Sequence, residues 1–370
     1  MRIAPQETER GIILGKRSGT QREGPISPTI DSQATAGPTR VESAAETLVL
    51  PAWQAAVRDA VRDAGELAQL LDLPPATLGA LADTGFPLLV PRGFVARMRR
   101  GDPNDPLLRQ ILPAPAERTP AEGFTADPVR EQALAANGLI RKYGGRALLI
   151  ASGTCPVHCR YCFRREFPYQ AQLAARDGWE PAIAELRSSP DIREVILSGG
   201  DPLSLSNRRL GELLAKLADT PATTVRIHTR FPIVIPERID ADLLRLLDTT
   251  RLRAVVVVHS NHPNELDASV AGALSALRPH VAALLNQAVL LAGVNDEAST
   301  LAALSERLFD CGVLPYYLHA LDRVSGAAHF DVAERRGLQL VAELRARLPG
   351  YLVPRFVREA PGELSKTPIA

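Results

Sequence analysis

The chain has 370 residues, 45% hydrophobic and 23% charged, with a formal net charge of +1. That balance is ordinary for a large globular core and gives no electrostatic case for nucleic acid or a membrane surface as partner. No apolar run approaches the ~20 residues that span a bilayer, and Ile12-Ile13-Leu14 is too short for the h-region of a signal peptide.

Residues 1–46 are rich in Ser, Thr, Pro, Gly and Gln, with few large apolar side chains, and read as a disordered tail. A helical region is expected over 47–136. Trp53, Val57, Val61, Leu67, Leu70 and Leu71 fall on one face at helical spacing, and Leu73-Pro74-Pro75 ends that helix. Further on, Phe94, Val95 and Met98 look like core anchors, while Arg97, Arg99 and Arg100 look like a solvated face. From Arg146 the chain alternates. Strand-like runs at 147–151, 194–198, 224–229, 254–259, 281–291 and 313–318 are separated by amphipathic patterns at 209–217, 241–247, 269–277 and 299–309, with a last one at 332–348. Val/Ile/Leu-rich strands between helices imply parallel βα units. Six such units fit an α/β fold built as a partial (β/α)6-type TIM barrel over 137–350, whose active site would sit at the C-terminal strand ends.

The first of these strands runs into Cys155, Cys159 and Cys162, spaced C-x₃-C-x₂-C. Three thiolates can hold three irons of a [4Fe–4S] cube and leave the fourth open, whereas structural clusters and structural zinc take four ligands. Half of a zinc site, drawing on Cys311 or His158, is the alternative. The second strand ends at Ser198-Gly199-Gly200-Asp201, where residues without Cβ let backbone approach a ligand closely; a plain tight turn would look the same. Lys366 lies near the end of the chain in Pro361-Gly362-Glu363-Leu364-Ser365-Lys366-Thr367-Pro368, after the apolar run 351–357. A lysine amine in a suitable environment can bind a carbonyl cofactor.

The segment CPVHCRYC resembles the radical S-adenosylmethionine (SAM) signature. Together with RKYGGRALL, ILSGGDPL, RIHTRFPIVIPERI, HSNHPNE, LLNQAVLLAGVND, LPYYLHALDRVSGAAHF and APGELSKTP, it makes the chain similar to the lysine 2,3-aminomutases. These are enzymes of a [4Fe–4S] cluster, SAM and pyridoxal 5′-phosphate (PLP). The resemblance implies an isomerase that moves nitrogen from C2 to C3 of L-lysine. Within the family it is similar to the branch that makes (R)-β-lysine for modification of elongation factor P, functionally coupled to that factor's lysine ligase. A flavodoxin or ferredoxin reductant and a cytoplasmic location are implied as well. On this resemblance Cys155, Cys159 and Cys162 bind the cluster, with Tyr161 beside it. Ser198, Gly199, Gly200 and Asp201 form the SAM element. Lys366 binds PLP covalently in a C-terminal segment, 351–370, and Lys142, Tyr143 and Arg146 hold that cofactor. Arg164 grips the substrate carboxylate, and Asp322 and Glu359 hold its ε-ammonium. His228, Asn261, His262, Asn286 and Gln287 are expected to line the site.

Two positions depart from the family pattern. Lys142 stands where arginine is usual and would offer a point charge rather than a fork. Glu359 stands where aspartate is usual in the larger enzymes, which also extend past the lysine and carry zinc-binding cysteines there. Two rival readings remain. One is a free-standing amino-acid 2,3-aminomutase serving another pathway. The other is a zinc-binding adaptor that uses Arg160, Arg164 and Arg165 as a basic face.

Overall fold

The computed structural model describes residues 50–74, 77, 85–132, 134–172, 174–363 and 365–370, so the tail expected over 1–46 lies outside the described residues. Ten strands form one sheet in sequence order. They are β1 (Ala135–Ala136), β2 (Leu139–Tyr143), β3 (Arg146–Ser152), β4 (Glu194–Gly199), β5 (Thr224–Thr229), β6 (Arg253–Val258), β7 (Ala283–Val289), β8 (Leu314–His319), β9 (Arg355–Arg358) and β10 (Thr367–Pro368). From β3 to β9 every neighbouring pair is parallel, with helices crossing between most of them. This is an open α/β barrel of the TIM type. The six expected strands all appear, the fifth trimmed to Ala283–Val289.

Both flanks of the sheet add strands that the hydrophobic pattern did not mark. β1 and β2 pair antiparallel ahead of β3. The run before Lys366 becomes a seventh parallel strand, β9, with β10 folded back antiparallel on it. Short strands of two to five residues are too brief for periodicity to distinguish from loop.

The crossover helices bury one stripe each. In Asn207–Ala218 the buried residues are Leu210, Leu213, Leu214 and Leu217, at helical spacing. Each such side chain contributes roughly 1.5–3 kcal/mol on burial. Ser206 caps that helix by accepting from the Arg209 N–H, and Asp240 does the same for Ala241–Thr249 through Leu243.

Ahead of the barrel, the single helix expected from Trp53 to Leu71 is two helices, Ala52–Arg58 and Ala64–Leu70. The break has two causes. Val61 exchanges backbone hydrogen bonds with Val90, and Asp63 caps the second helix by accepting from Glu66 N–H at 2.8 Å. Phe94, Val95 and Met98 are buried as expected. Arg99 and Arg100 are exposed, but Arg97 is not: it donates to the Ile233 and Glu265 carbonyls and faces Asp267 at 3.5 Å.

This region fastens the cysteine loop. His158 N–H donates to the Leu89 carbonyl at 2.9 Å, and Arg160 N–H to that of Gln110 at 2.8 Å. Residue Thr125 pairs with Val324 on the loop after β8.

The glycines ending β4 are required by backbone on the other side of the loop. Gly199 has φ +111°, and a Cβ there would lie 2.4 Å from the Ser152 oxygen. A Cβ on Gly200 would lie 2.5 Å from the Thr154 oxygen and 2.8 Å from its nitrogen. Gly200→Ala is therefore expected to cost about 1–3 kcal/mol and to push the cysteine loop off β4. Urea denaturation reads the first effect and iron bound per chain the second. An alanine variant with wild-type values for both would show that the close approach is dispensable.

Candidate active site

Six of the seven parallel strands, with His259 just after β6, deliver side chains to one cavity of about 850 Å³. That size is at the upper end for small-molecule sites. The three loop cysteines line it, as do Ser198, Gly199, Gly200, Arg164, Tyr143, Arg146, Asp322, Glu359 and Lys366. Residues up to 223 apart in sequence thus meet in one chamber.

The cysteines crowd one another. Burial, then repulsion from Cys159, pushes the Cys162 thiol up to about 11; burial, then Cys162, raises Cys155 well above its ordinary value. Such a set favours cationic iron, which removes the cost of three neighbouring thiolates. Among the described residues no three His, Cys, Asp or Glu side chains converge where one metal ion could sit. The zinc alternative cannot draw on Cys311, which is buried at the end of helix Ala298–Asp310, next to the start of β8 and outside the chamber.

Beside the cluster loop lies the Gly-Gly turn. The N–H of Gly200 donates to the Ser152 carbonyl at 2.7 Å, and that of Asp201 to Thr154 at 2.8 Å. The Gly199 carbonyl accepts from Tyr169 Oη at 2.8 Å. The Asp201 carboxylate accepts from Thr229 Oγ1, Arg230 N–H and Leu203 N–H. Burial still pushes its acid up to about 6. Its geometry is that of a clip between the ends of β4 and β5, so it reaches a cofactor by holding the turn.

Opposite the cysteines, Lys366 Nζ donates to Glu359 Oε2 at 2.6 Å and sits 6.0 Å from the Tyr317 ring. The other Glu359 oxygen accepts from Tyr143 Oη. Burial, then Glu359, raises the Tyr143 phenol far above its usual value. Because Tyr143 belongs to β2 and Glu359 follows β9, this chain of hydrogen bonds joins the two flanks of the open sheet. Arg146 covers the Tyr143 ring at 5.0 Å. An amine, an aromatic face and a cation lining one chamber fit a phosphorylated pyridine aldehyde. The backbone of Lys142 lies in β2; its side chain lies outside the described residues.

The residues that sequence reasoning missed are the acids and amides behind these groups. Arg164 forms a fork onto Glu131, at 2.7 and 3.0 Å, and donates to Ser198 Oγ at 2.7 Å. Arg160 grips Glu117 with Nε at 2.8 Å and Nη2 at 2.5 Å, and Arg165 adds a third bond at 2.9 Å. Both guanidinium groups cover the Phe86 ring. None of the three arginines forms a basic face, which removes the structural ground for the adaptor reading. Tyr161 is buried, its hydroxyl 2.9 Å from His259 Nε2 and accepting from Arg230 and Asn261.

Of the polar residues expected to line the chamber, His228 and Gln287 do so. Asn261, Asn286 and His262 are used elsewhere. Asn286 clips the Ser260 backbone, Asn261 bonds Tyr161 and Gln110, and His262 accepts from Asn264 N–H in its own turn.

Three histidines at the chamber are held neutral. Burial, then Arg230, pushes His259 down to about 3; burial foremost lowers His228 and His319 well below 6.5. The unfolded chain binds these protons first, so the stabilisation is complete above about pH 6.5 and is lost as pH falls toward the folded values. Each such histidine contributes a slope of about 1.4 kcal/mol per pH unit in that window. The urea midpoint is expected to hold between pH 7.5 and 6.5 and to drop steeply from pH 6.5 to 5, and His259→Gln to flatten the drop. An unchanged midpoint across that range would contradict the burial.

A family model described as a 4Fe-4S single cluster domain matches residues 140–250. The L-lysine 2,3-aminomutase of Escherichia coli (strain K12) is 46% identical over 86% of this chain and 94% of its own length. That of Haemophilus influenzae is 42% identical over 85% and 94%, and that of Clostridium subterminale 33% over 86% and 77%. Among solved structures, a radical SAM methyltransferase from Sphaerobacter thermophilus overlays on 59% of this chain and 68% of its own at 18% identity, with a TM-score of 0.39.

Proposed function

The chain belongs to the lysine 2,3-aminomutase family, and on that premise we propose that it converts L-α-lysine to (R)-β-lysine, supplied for modification of elongation factor P. It is an isomerase that uses a [4Fe–4S] cluster, SAM and PLP. The observation that carries the reading is that Lys366 and the three cysteines line one chamber. When bound, cluster and SAM supply a 5′-deoxyadenosyl radical, and PLP a carbonyl that carries the migrating nitrogen.

The chain's own residues bind and orient. Cys155, Cys159 and Cys162 hold the cluster, and the Gly199-Gly200 turn receives SAM beside it. Lys366 holds PLP, with Tyr143 and Arg146 against it and Lys142 on the adjoining strand. Arg164 keeps two of its five N–H bonds beyond those given to Glu131 and Ser198, and these face a substrate carboxylate. Asp322 and Glu359 give the chamber the acidic side that a second ammonium needs, which favours lysine over a neutral amino acid.

The elongation-factor role is supported by the resemblance of the sequence blocks to that branch, alongside matches over 94% of the length of the Escherichia coli and Haemophilus influenzae relatives. The reductant is a flavodoxin or ferredoxin, the ligase of elongation factor P takes the product, and the setting is the cytoplasm.

The test is anaerobic reconstitution with iron, sulfide and PLP, then reduction and incubation with SAM and L-lysine. Chiral chromatography is expected to show (R)-β-lysine. The (S) product would correct the stereochemistry, and loaded cofactors with untouched lysine would overturn the substrate. Intact-mass analysis of elongation factor P from cells lacking this gene tests the role: loss of the β-lysyl mass supports it, and retention sinks it.

A further inference from the structure

A buried polar network stands directly behind the cluster loop and has no part in the roles assigned above. Its centre is Arg230, the residue after β5, which is 5% exposed. Its Nη1 donates to Cys159 Sγ at 2.7 Å and to Tyr161 Oη at 2.9 Å. Its Nη2 donates to Gln110 Oε1 at 2.8 Å and meets Glu265 Oε2 at 3.2 Å. Gln110 in turn donates to the other Glu265 oxygen at 3.0 Å. Among the described residues, Cys159 is the one cysteine of the three whose sulfur receives a guanidinium N–H.

We infer that Arg230 is a positioning residue for the iron–sulfur cluster, whose N–H···S bond to Cys159 raises the cluster's reduction potential and fixes that ligand's rotamer. The inference rests on the cluster being held by these three cysteines. Reduction adds one negative charge to the cluster and its thiolates. A hydrogen bond from a cation to a ligating sulfur stabilises the reduced form more than the oxidised one.

The guanidinium cannot swing away. Its backbone N–H is tied to Asp201 at 2.6 Å, the Phe94 and Tyr161 rings lie 5.4 and 6.0 Å from it, and its far nitrogen is held by Gln110 and Glu265. Glu265 offsets much of the cation's charge, so the bond acts on the near sulfur rather than as a field over the whole chamber.

The experiment is an EPR-monitored redox titration of the reconstituted, SAM-free protein, with iron per chain measured alongside. Arg230→Gln is expected to lower the potential by at least a tenfold change in the reduced-to-oxidised ratio, ~59 mV for one electron. Arg230→Lys, which keeps the charge and one donor, is expected to fall between. Equal potentials at equal iron content would overturn the inference. Failure of the wild-type chain to take up a cluster would instead overturn the cysteine assignment.

Should the glutamine variant fold poorly, the wild-type protein carries the test. Labelled with guanidino-¹⁵N arginine, it is expected to show a nitrogen coupling in pulsed EPR of the reduced cluster, absent in Arg230→Lys. A labelled wild-type spectrum without that coupling also overturns the inference.

Discussion

Replacing Lys366 with alanine is expected to abolish turnover of lysine, by at least ~10³-fold or about 4 kcal/mol of barrier, while leaving iron content unchanged. The amine is the only lysine nitrogen among the described residues that lines the chamber. The cluster side is independent of it: Cys155, Cys159 and Cys162 are positioned by β3, the Gly-Gly turn and the N-terminal region. Absorbance of bound PLP after desalting and iron per chain separate the two outcomes. Lys366→Ala with retained PLP and turnover would place the cofactor elsewhere. Glu359→Gln is the informative companion, since it keeps the lysine and removes the charge it faces at 2.6 Å. Its effect is expected to be smaller than that of Lys366→Ala.

Glu117→Gln is expected to cost about 3–5 kcal/mol of stability, the range for stripping one partner from a buried ion pair. The Arg160 and Arg165 side chains are 0% and 3% exposed, and that of Glu117 is 1% exposed. An amide offers one acceptor oxygen where the fork of Arg160 and the Arg165 bond occupy two. Its nitrogen would then face a guanidinium donor to donor. A loss of this size removes a large share of a native margin that is ~5–15 kcal/mol. The urea midpoint reads it directly. The pair also sets an acid limit. Arg160 offsets the burial of Glu117 and holds its acid below the usual value. The stabilisation is therefore present above about pH 4.5 and is lost as pH falls through the lowered value. A change under 1 kcal/mol would show that water reaches the pair.

The barrel was legible because its six main strands are runs of Val, Ile and Leu long enough to carry a signal, such as Arg253–Val258. The flanking strands were not, since Ala135–Ala136 and Thr367–Pro368 have too few residues to show a period. In the site, the loops that bind cofactors announced themselves through rare residue types, three cysteines and a glycine pair. Their support did not. Glu117, Glu131, Gln110, Arg230 and Glu265 are common polar residues whose meaning comes only from burial and from partners 33 to 155 positions away. Arg97 was misread for the same reason: spacing cannot tell a solvated arginine from one sealed between carbonyls. The helix at Trp53–Leu71 failed because Val61 is taken by a backbone partner, Val90, that helical spacing does not reveal.

The fastening of the cysteine loop bears on how this enzyme can be divided. A fragment trimmed to begin at the first barrel hairpin would retain every cysteine and every strand. It would nevertheless lose Glu117 from Arg160 and Arg165, Gln110 from Arg230, and the Leu89 and Gln110 carbonyls that hold the loop's backbone. Glu131 would go from Arg164 as well, so four guanidinium groups would be left short of partners around the metal site. Gene fusion, circular permutation or expression of a minimal catalytic unit must therefore carry residues 85–136 along with the barrel, as inseparable scaffolding for the iron.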